Sequence, residues 1–200
     1  TVGSSVALHG STDLGNTAIT VSKDATLTMT AAQAAGVTVT GSASAGGGET
    51  GGSVILTSLG TANVNLSGLT AGGASGGGAV GTITTTVGSS VALHGSTDLG
   101  NTAVTVSNGA TLTLTAAQAT GKSISASGSG NITLTDGSAA TAYNLSNISS
   151  GSGTVTLAYG TGGTFNGSTS LNGAQVTVAK DQTLTMTAAQ AAGVTVTGSA

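Results

Sequence analysis

Thr1–Ala18 reads TVGSSVALHGSTDLGNTA, and Thr86–Ala103 repeats it letter for letter. Thr26–Ala43, TLTMTAAQAAGVTVTGSA, returns unchanged as Thr183–Ala200. Internal repetition this close constrains a fold more than any local motif, because each repeat must find the same surroundings or be one element of a stacked array. The second unit aligns to the first with Thr86 on Thr1, and the third aligns to the second, by a shorter step, with Thr183 on Thr111. The reading is therefore a unit at 1–85, a second at 86–157 and a partial third at 158–200, forming one continuous array. The extra length of the first unit falls in glycine-rich stretches near 45–53 and 71–80, which read as loop insertions bulging from a regular body.

Within a unit the clearest elements are Thr-X-Thr bursts: Thr26–Thr30, Thr111–Thr115 and Thr183–Thr187. Strict alternation has the period of a strand, so Leu and Met fall on one face and Thr on the other. Val6–His9, Ile19–Ser22, Val37–Thr40, Val54–Thr57, Val64–Ser67, Asn131–Thr135, Thr154–Ala158 and Gln175–Val178 are further candidate strands. Asn108-Gly109, Asp136-Gly137, Asn166-Gly167 and Asn172-Gly173 are turn dipeptides. Each burst runs into AAQA (Ala31–Ala34, Ala116–Ala119, Ala188–Ala191), too short for a stable helix and suited to a corner. The Gln there is placed to satisfy free backbone groups.

Bulk is scarce: glycine supplies 35 residues, 2% of the chain is aromatic and 4% charged, with no Trp, Pro, Cys or Arg. Disorder normally goes with low hydrophobicity and high net charge, whereas mean hydropathy here is +0.33 and net charge −3. No apolar run is long enough to span a membrane. A fold held by backbone ladders and small stacked side chains fits. The expected class is all-β, a parallel β-solenoid; at roughly 20–24 residues per coil the chain makes about eight to ten coils about 4.8 Å apart. Tandem small β-sandwiches are the alternative, since short strands at 8–12-residue spacing also suit them. They would want heavier inward side chains than Val, Ala and Thr.

The residues that could carry chemistry have plainer uses. His9 and His94 are equivalent, but the third unit has Asn166 there, so a polar strand end before a glycine turn is expected rather than a ligand. Asp13 and Asp98 are replaced by Ser170, and a side-chain oxygen capping a turn explains all three. Six acidic residues, none closer than eleven positions, cannot fill repeated calcium sites or pair for acid–base work. Gly46-x-Gly48-x-x-Gly51 and Gly76-x-Gly78-x-x-Gly81 match a dinucleotide fingerprint as text but have no following helix. Gly73-Ala74-Ser75-Gly76-Gly77 spells a nucleophile elbow without a triad. Lys23-Asp24 and Lys180-Asp181 stand where the second unit has Asn108-Gly109, a turn. The five N-x-S/T sequons, Asn65, Asn131 and Asn144 among them, matter only in a host that glycosylates them. No catalytic, cofactor or metal residue is assigned, and three Lys argue against nucleic acid. Ranked Thr could order water as an ice-binding face, yet the apolar positions Leu27, Val37, Leu56, Leu66 and Ile83 advance unevenly, which predicts interrupted ranks.

The recurring LT[LM]TAAQAxG phrase, with Thr/Gly/Ala/Ser richness, no Cys and few charges, resembles the strand-repeat regions of large secreted bacterial surface proteins: giant adhesins, S-layer-like proteins and extracellular filament subunits. The resemblance implies a non-enzymatic module outside a bacterial cell, a fibre, stalk or coat that associates with itself end to end and laterally. The alternative it implies is an adhesin or a carbohydrate- or ice-binding module acting through Thr faces or glycine loops, with a cell surface or glycan as partner. The opening without Met and the close in mid-phrase lead us to expect a segment of a longer protein or a processed subunit.

Overall fold

The computed structural model describes residues 1–138, 142–167 and 169–200. It is all-β, a parallel β-solenoid, and it divides into two compact units: Thr1–Thr86 with Ser96–Val104, and Val87–Gly95 with Thr105–Ala200. Every strand pairing described is parallel, which removes the sandwich alternative, an antiparallel class.

In the first unit, Val6 pairs with Leu27, Leu27 with Val54 and Val54 with Ile83. The step from Val6 to Leu27 is the shortest and each later step is longer, so the added length of this unit enters coil by coil. A second ladder joins Ile19–Val21, Val39–Gly41 and Leu69–Thr70. In the second unit one ladder runs Val91–Ala92, Thr111–Thr115, Asn131–Ser138, Val155–Thr161, Gln175–Val178 and Val196–Gly198. Its coils are more even in length, with Val91 on Leu112, Leu112 on Ile132, Ile132 on Val155, Leu157 on Val176 and Val176 on Val196.

The period-two reading holds at the level of burial. Leu27, Met29, Leu112 and Leu114 are buried while Thr26, Thr28, Thr111 and Thr113 are half-buried. Stacked in register, the inward residues make narrow apolar columns: Leu27 on Val54, Leu112 on Ile132, Leu157 on Val176. Full burial of such a side chain stabilises by about 1.5–3 kcal/mol, and a parallel stack gives every coil that contribution without a bulky residue. In the last third the columns thicken. Tyr159 and Phe165 take the places that Val87 and Leu93 hold in the preceding sequence repeat, and their rings meet edge to face at 4.9 Å.

Three sequence expectations are corrected. Val64–Ser67 is no strand: Asn65 makes an isolated bridge, and the ladder resumes at Leu69–Thr70. Asp136-Gly137 is no turn, for the strand continues to Ser138, absorbing an irregularity of register at Gly137. The glycine insertions are loops only at their tips. The two insertions pair with each other through a Thr50–Ala79 bridge, and Gly51, Gly52, Gly72 and Gly81 are buried. A Cβ on Gly52 would collide with the Val21 carbonyl and one on Gly72 with that of Ser42, so glycine is required there by close backbone approach.

Candidate functional site

The corner phrase AAQA is where the repeated side chains do something specific. Each copy is a single helical turn, α1 (Ala31–Ala34), α2 (Ala116–Ala119) and α3 (Ala188–Ala191), entered through an N-cap Thr with a complete capping box. In α1 the Thr30 Oγ1 accepts from the Gln33 amide and Gln33 Oε1 accepts from the Thr30 amide, at 3.2 and 2.8 Å. That arrangement aims the Gln Nε2 at the neighbouring coil. Gln33 Nε2 donates to the carbonyls of His9 and Thr12, Gln118 Nε2 to that of His94, and Gln190 Nε2 to that of Asn166. The capping box thus doubles as a clamp between coils, in all three repeats.

The clamp explains the His/Asn exchange. The position contributes its main-chain carbonyl in all three repeats, whether His or Asn stands there. His9 is exposed, with Nδ1 2.8 Å from Ser11 Oγ. Asp13 and Asp98 accept from the amides of Gly15 and Gly100 at 2.8 and 2.9 Å, the turn-capping role expected of them. Asp24, Gly109 and Asp181 hold equivalent places with φ of 61°, 76° and 60°, so the Lys-Asp and Asn-Gly dipeptides are one turn in a left-handed conformation. Asp24 also accepts from the Thr50 amide, and Lys23 pairs with Glu49, whose other oxygen takes the Ala45 amide. The Lys23 bond, and then the Ala45 bond, hold the Glu49 carboxyl below its ordinary range; the Glu49 bond raises Lys23. These charges tether an insertion to its coil.

The corners also come in order. A first class of coil carries L-[HN]-G-S-T-[DS]-L or its variant F-N-G-S-T-S-L; a second carries T-A-A-Q-A; a third carries x-[VI]-x-L-T followed by N-L-S-x-[LI], at Ser53–Leu69 and Asn131–Ile148. First meets second through Leu8, Leu93 and Phe165 amides on Thr28, Thr113 and Thr185 carbonyls, each 2.8 Å. Second meets third through Gly36 and Gly121 amides on the Asn65 and Asn144 carbonyls. Third meets first through Asp98 and Ser170 amides on the Val64 and Tyr143 carbonyls. Sequence reasoning found the first two phrases and missed the third, whose only signal is the short N-L-S echo at Asn65 and Asn144.

Two surfaces remain open to a ligand. A groove of about 440 Å³ in the first unit is lined by Thr70, Gly72, Val80, Ile83, Asn101 and Ala103 among others, none of them charged. The Thr faces differ between units. In the first, Thr28 and Thr84 flank an exposed Ile55, an interrupted rank as expected. In the second, Thr113, Thr133 and Thr156 stand in register on three successive coils, beside Thr115 on Thr135, but Ala92 precedes and Gln175 follows them, so this rank too is interrupted. Among the described residues no group of His, Asp or Glu could hold a metal ion, and no helix is long and apolar enough to cross a membrane. No protein-family model, curated protein or solved structure matches the chain.

Proposed function

We propose that this chain is a structural, non-enzymatic repeat module of an extracellular bacterial surface protein, forming a fibre, stalk or coat by the stacking of β-coils. One observation carries the reading: the side-chain chemistry repeated in every unit, Thr N-cap plus Gln, joins one coil to the next rather than facing a ligand. A chain whose recurrent polar groups serve its own length resists extension and unwinding, which is what a stalk under tension or a coat needs. Low charge leaves little repulsion between copies, and the uncharged Thr faces suit lateral contact. Electron microscopy of the purified chain, from dilute to concentrated, tests this: filaments or sheets support it, and isolated particles at every concentration count against it.

A binding module is the second reading, favoured by the in-register Thr113–Thr133–Thr156 rank. Hydroxyls and methyls repeating at the strand spacing of about 4.8 Å suit ordered water or a polysaccharide face. Inhibition of ice recrystallisation, or saturable glycan binding abolished by Thr133→Lys, would bring this reading to the front.

A further inference from the structure

We infer that the groove beside Leu69–Ala71 in the first unit is a strand-addition site: it takes an extended, uncharged segment of another protein, reading aliphatic-Thr-small, through main-chain hydrogen bonds. The inference goes beyond the structural reading and does not depend on it. Ile19–Val21, Val39–Gly41 and Leu69–Thr70 form a three-stranded parallel ladder in which Leu69–Thr70 has a neighbour on one side only. Val39 gives its amide to the Gly68 carbonyl, and the alternation of a parallel ladder turns the main-chain groups of Leu69 and Ala71 to the opposite edge. There the Leu69 amide folds back on the Leu66 carbonyl at 3.1 Å, while the Leu69 carbonyl and both main-chain groups of Ala71 have no partner among the described residues. The next coil is already in place, since Leu66 gives its amide to the Asp98 carbonyl, but its strand Ala103–Val106 joins a different sheet. What is left beside the edge is the groove of about 440 Å³, within the roughly 300–1,000 Å³ span of ligand sites.

The second unit shows what such an edge accepts. Ile148 matches Leu69 in the N-L-S-x-[LI] phrase, and Ile148–Ser149 likewise ends its ladder. There Asn172 Nδ2 donates to the Ile148 carbonyl at 2.7 Å. The residue aligned with Asn172 is Gly100, which has no side chain to reach the Leu69 carbonyl. One edge is closed by an amide from within its own unit, and the other stays open to an amide from outside. A peptide main chain supplies amides and carbonyls at strand spacing, which is what an open edge pairs with. The rungs already in the ladder read Ile19-Thr20-Val21, Val39-Thr40-Gly41 and Leu69-Thr70-Ala71, with Thr20, Thr40 and Thr70 in register, so the rung that extends them reads aliphatic-Thr-small. Val80, 59% exposed, lines the groove with Ile83 and Ala103 and offers the aliphatic residue apolar contact. No charged residue lines the groove, so a charged segment would lose water there without gaining a partner. A second copy does not supply the strand from its insertion tips, because these turn back on themselves: Glu49 gives its amide to the Gly46 carbonyl and Gly78 to that of Ser75.

The test is amide hydrogen exchange at Ala71 in the intact chain, read by NMR, with the peptide acetyl-Gly-Val-Thr-Ala-Gly-amide as probe at millimolar concentration. The probe is expected to slow exchange at Ala71 saturably, by roughly tenfold or more, while the Gly72 amide, already bonded to the Gly52 carbonyl, serves as internal reference. The same peptide N-methylated at its Thr cannot donate to the Leu69 carbonyl and is expected to leave Ala71 unchanged. No protection at millimolar peptide, equal protection by the N-methylated form, protection by a neutral oligosaccharide such as maltohexaose, or protection that rises with protein concentration alone (the mark of a second copy) each overturns the inference. Filament or sheet formation is scored separately by microscopy, so the structural reading stands or falls on its own result.

Discussion

Gln33 Nε2 lies 2.7 Å from the carbonyl oxygen of His9, a residue 24 positions earlier in the chain, while its Oε1 caps the turn that holds it. One side chain thereby closes its own corner and ties it to the adjacent coil. The equivalent Gln118 does the same with His94 in the second unit. Gln118→Ala removes both bonds and leaves a carbonyl and an amide without those partners, a loss of about 1–2 kcal/mol. His94→Asn keeps the carbonyl and is expected within about 0.5 kcal/mol of the parent. Urea unfolding of the two variants checks the pair; a larger loss for His94→Asn than for Gln118→Ala contradicts the clamp.

Glycine content reads as flexibility, yet its effect here is positional. Gly52→Ala drives a Cβ into the Val21 carbonyl, whereas Gly47→Ala meets nothing within 4 Å. Overpacking of this kind costs about 1–3 kcal/mol, so Gly52→Ala should lower the unfolding midpoint clearly and Gly47→Ala should leave it in place or raise it slightly. The comparison is made by thermal melts of both variants.

The solenoid was legible because Leu27, Met29, Leu112 and Leu114 alternate with Thr, and because bulky residues are too few to fill a sandwich. The AAQA corner was legible as a backbone-satisfying device from composition alone. What stayed hidden depends on neighbours distant in sequence. Val64–Ser67 has strand composition, but Asn65 Oδ1 accepts from the amide and hydroxyl of Ser67, a local turn that outcompetes the ladder. Gly51 and Gly52 look like linker and are buried, because only the stacked coil reveals that Gly41, Gly72 and Gly81 crowd them. The short in-register Thr run of the second unit, bounded by Ala92 and Gln175, likewise follows from pairing between coils, which spacing along the chain does not display.

Identical sequence in two settings separates burial from propensity. Leu27 and Leu184 share their neighbours in sequence, but Leu27 is buried and Leu184 half-buried. Leu27→Ala should cost about 2–5 kcal/mol, the range for a fully buried leucine, and Leu184→Ala under about 1 kcal/mol. Chemical denaturation of both reads the difference, and equal losses would mean that the outer coil is covered in solution.

The Lys23–Glu49 pair gives a pH dependence with a definite sign. Glu49 is depressed by the Lys23 bond and by the Ala45 amide, so its contribution is present above the ordinary carboxylate range and is lost as pH falls through the lowered value. Lys23 is raised by Glu49, so its contribution is present below the ordinary lysine range and is lost as pH rises through the raised value. Between those limits the pair tethers the insertion, weakly, since both groups are solvated. Glu49→Gln should flatten the acid side of the stability profile and speed proteolysis within the Gly46–Gly48 tip at neutral pH. Parallel acid limbs for parent and variant would contradict it.

Tyr159 is buried, and its hydroxyl has no hydrogen-bond partner among the described residues. Burial is the main reason its phenol is pushed up, with Tyr143 adding to it. A buried hydroxyl without a partner carries a desolvation penalty of about 1–3 kcal/mol, part of which packing and the edge-to-face contact with Phe165 offset. Tyr159→Phe keeps the ring and deletes the unpaired oxygen, so it should stabilise the protein by about 0.5–1 kcal/mol. The gain should widen as pH rises past the ordinary tyrosine range, because the unfolded parent ionises there while the folded phenol does not. Unfolding free energies at neutral and alkaline pH measure both effects; a destabilised Phe variant would mean that the hydroxyl is bonded in solution, through water or a rearranged neighbour.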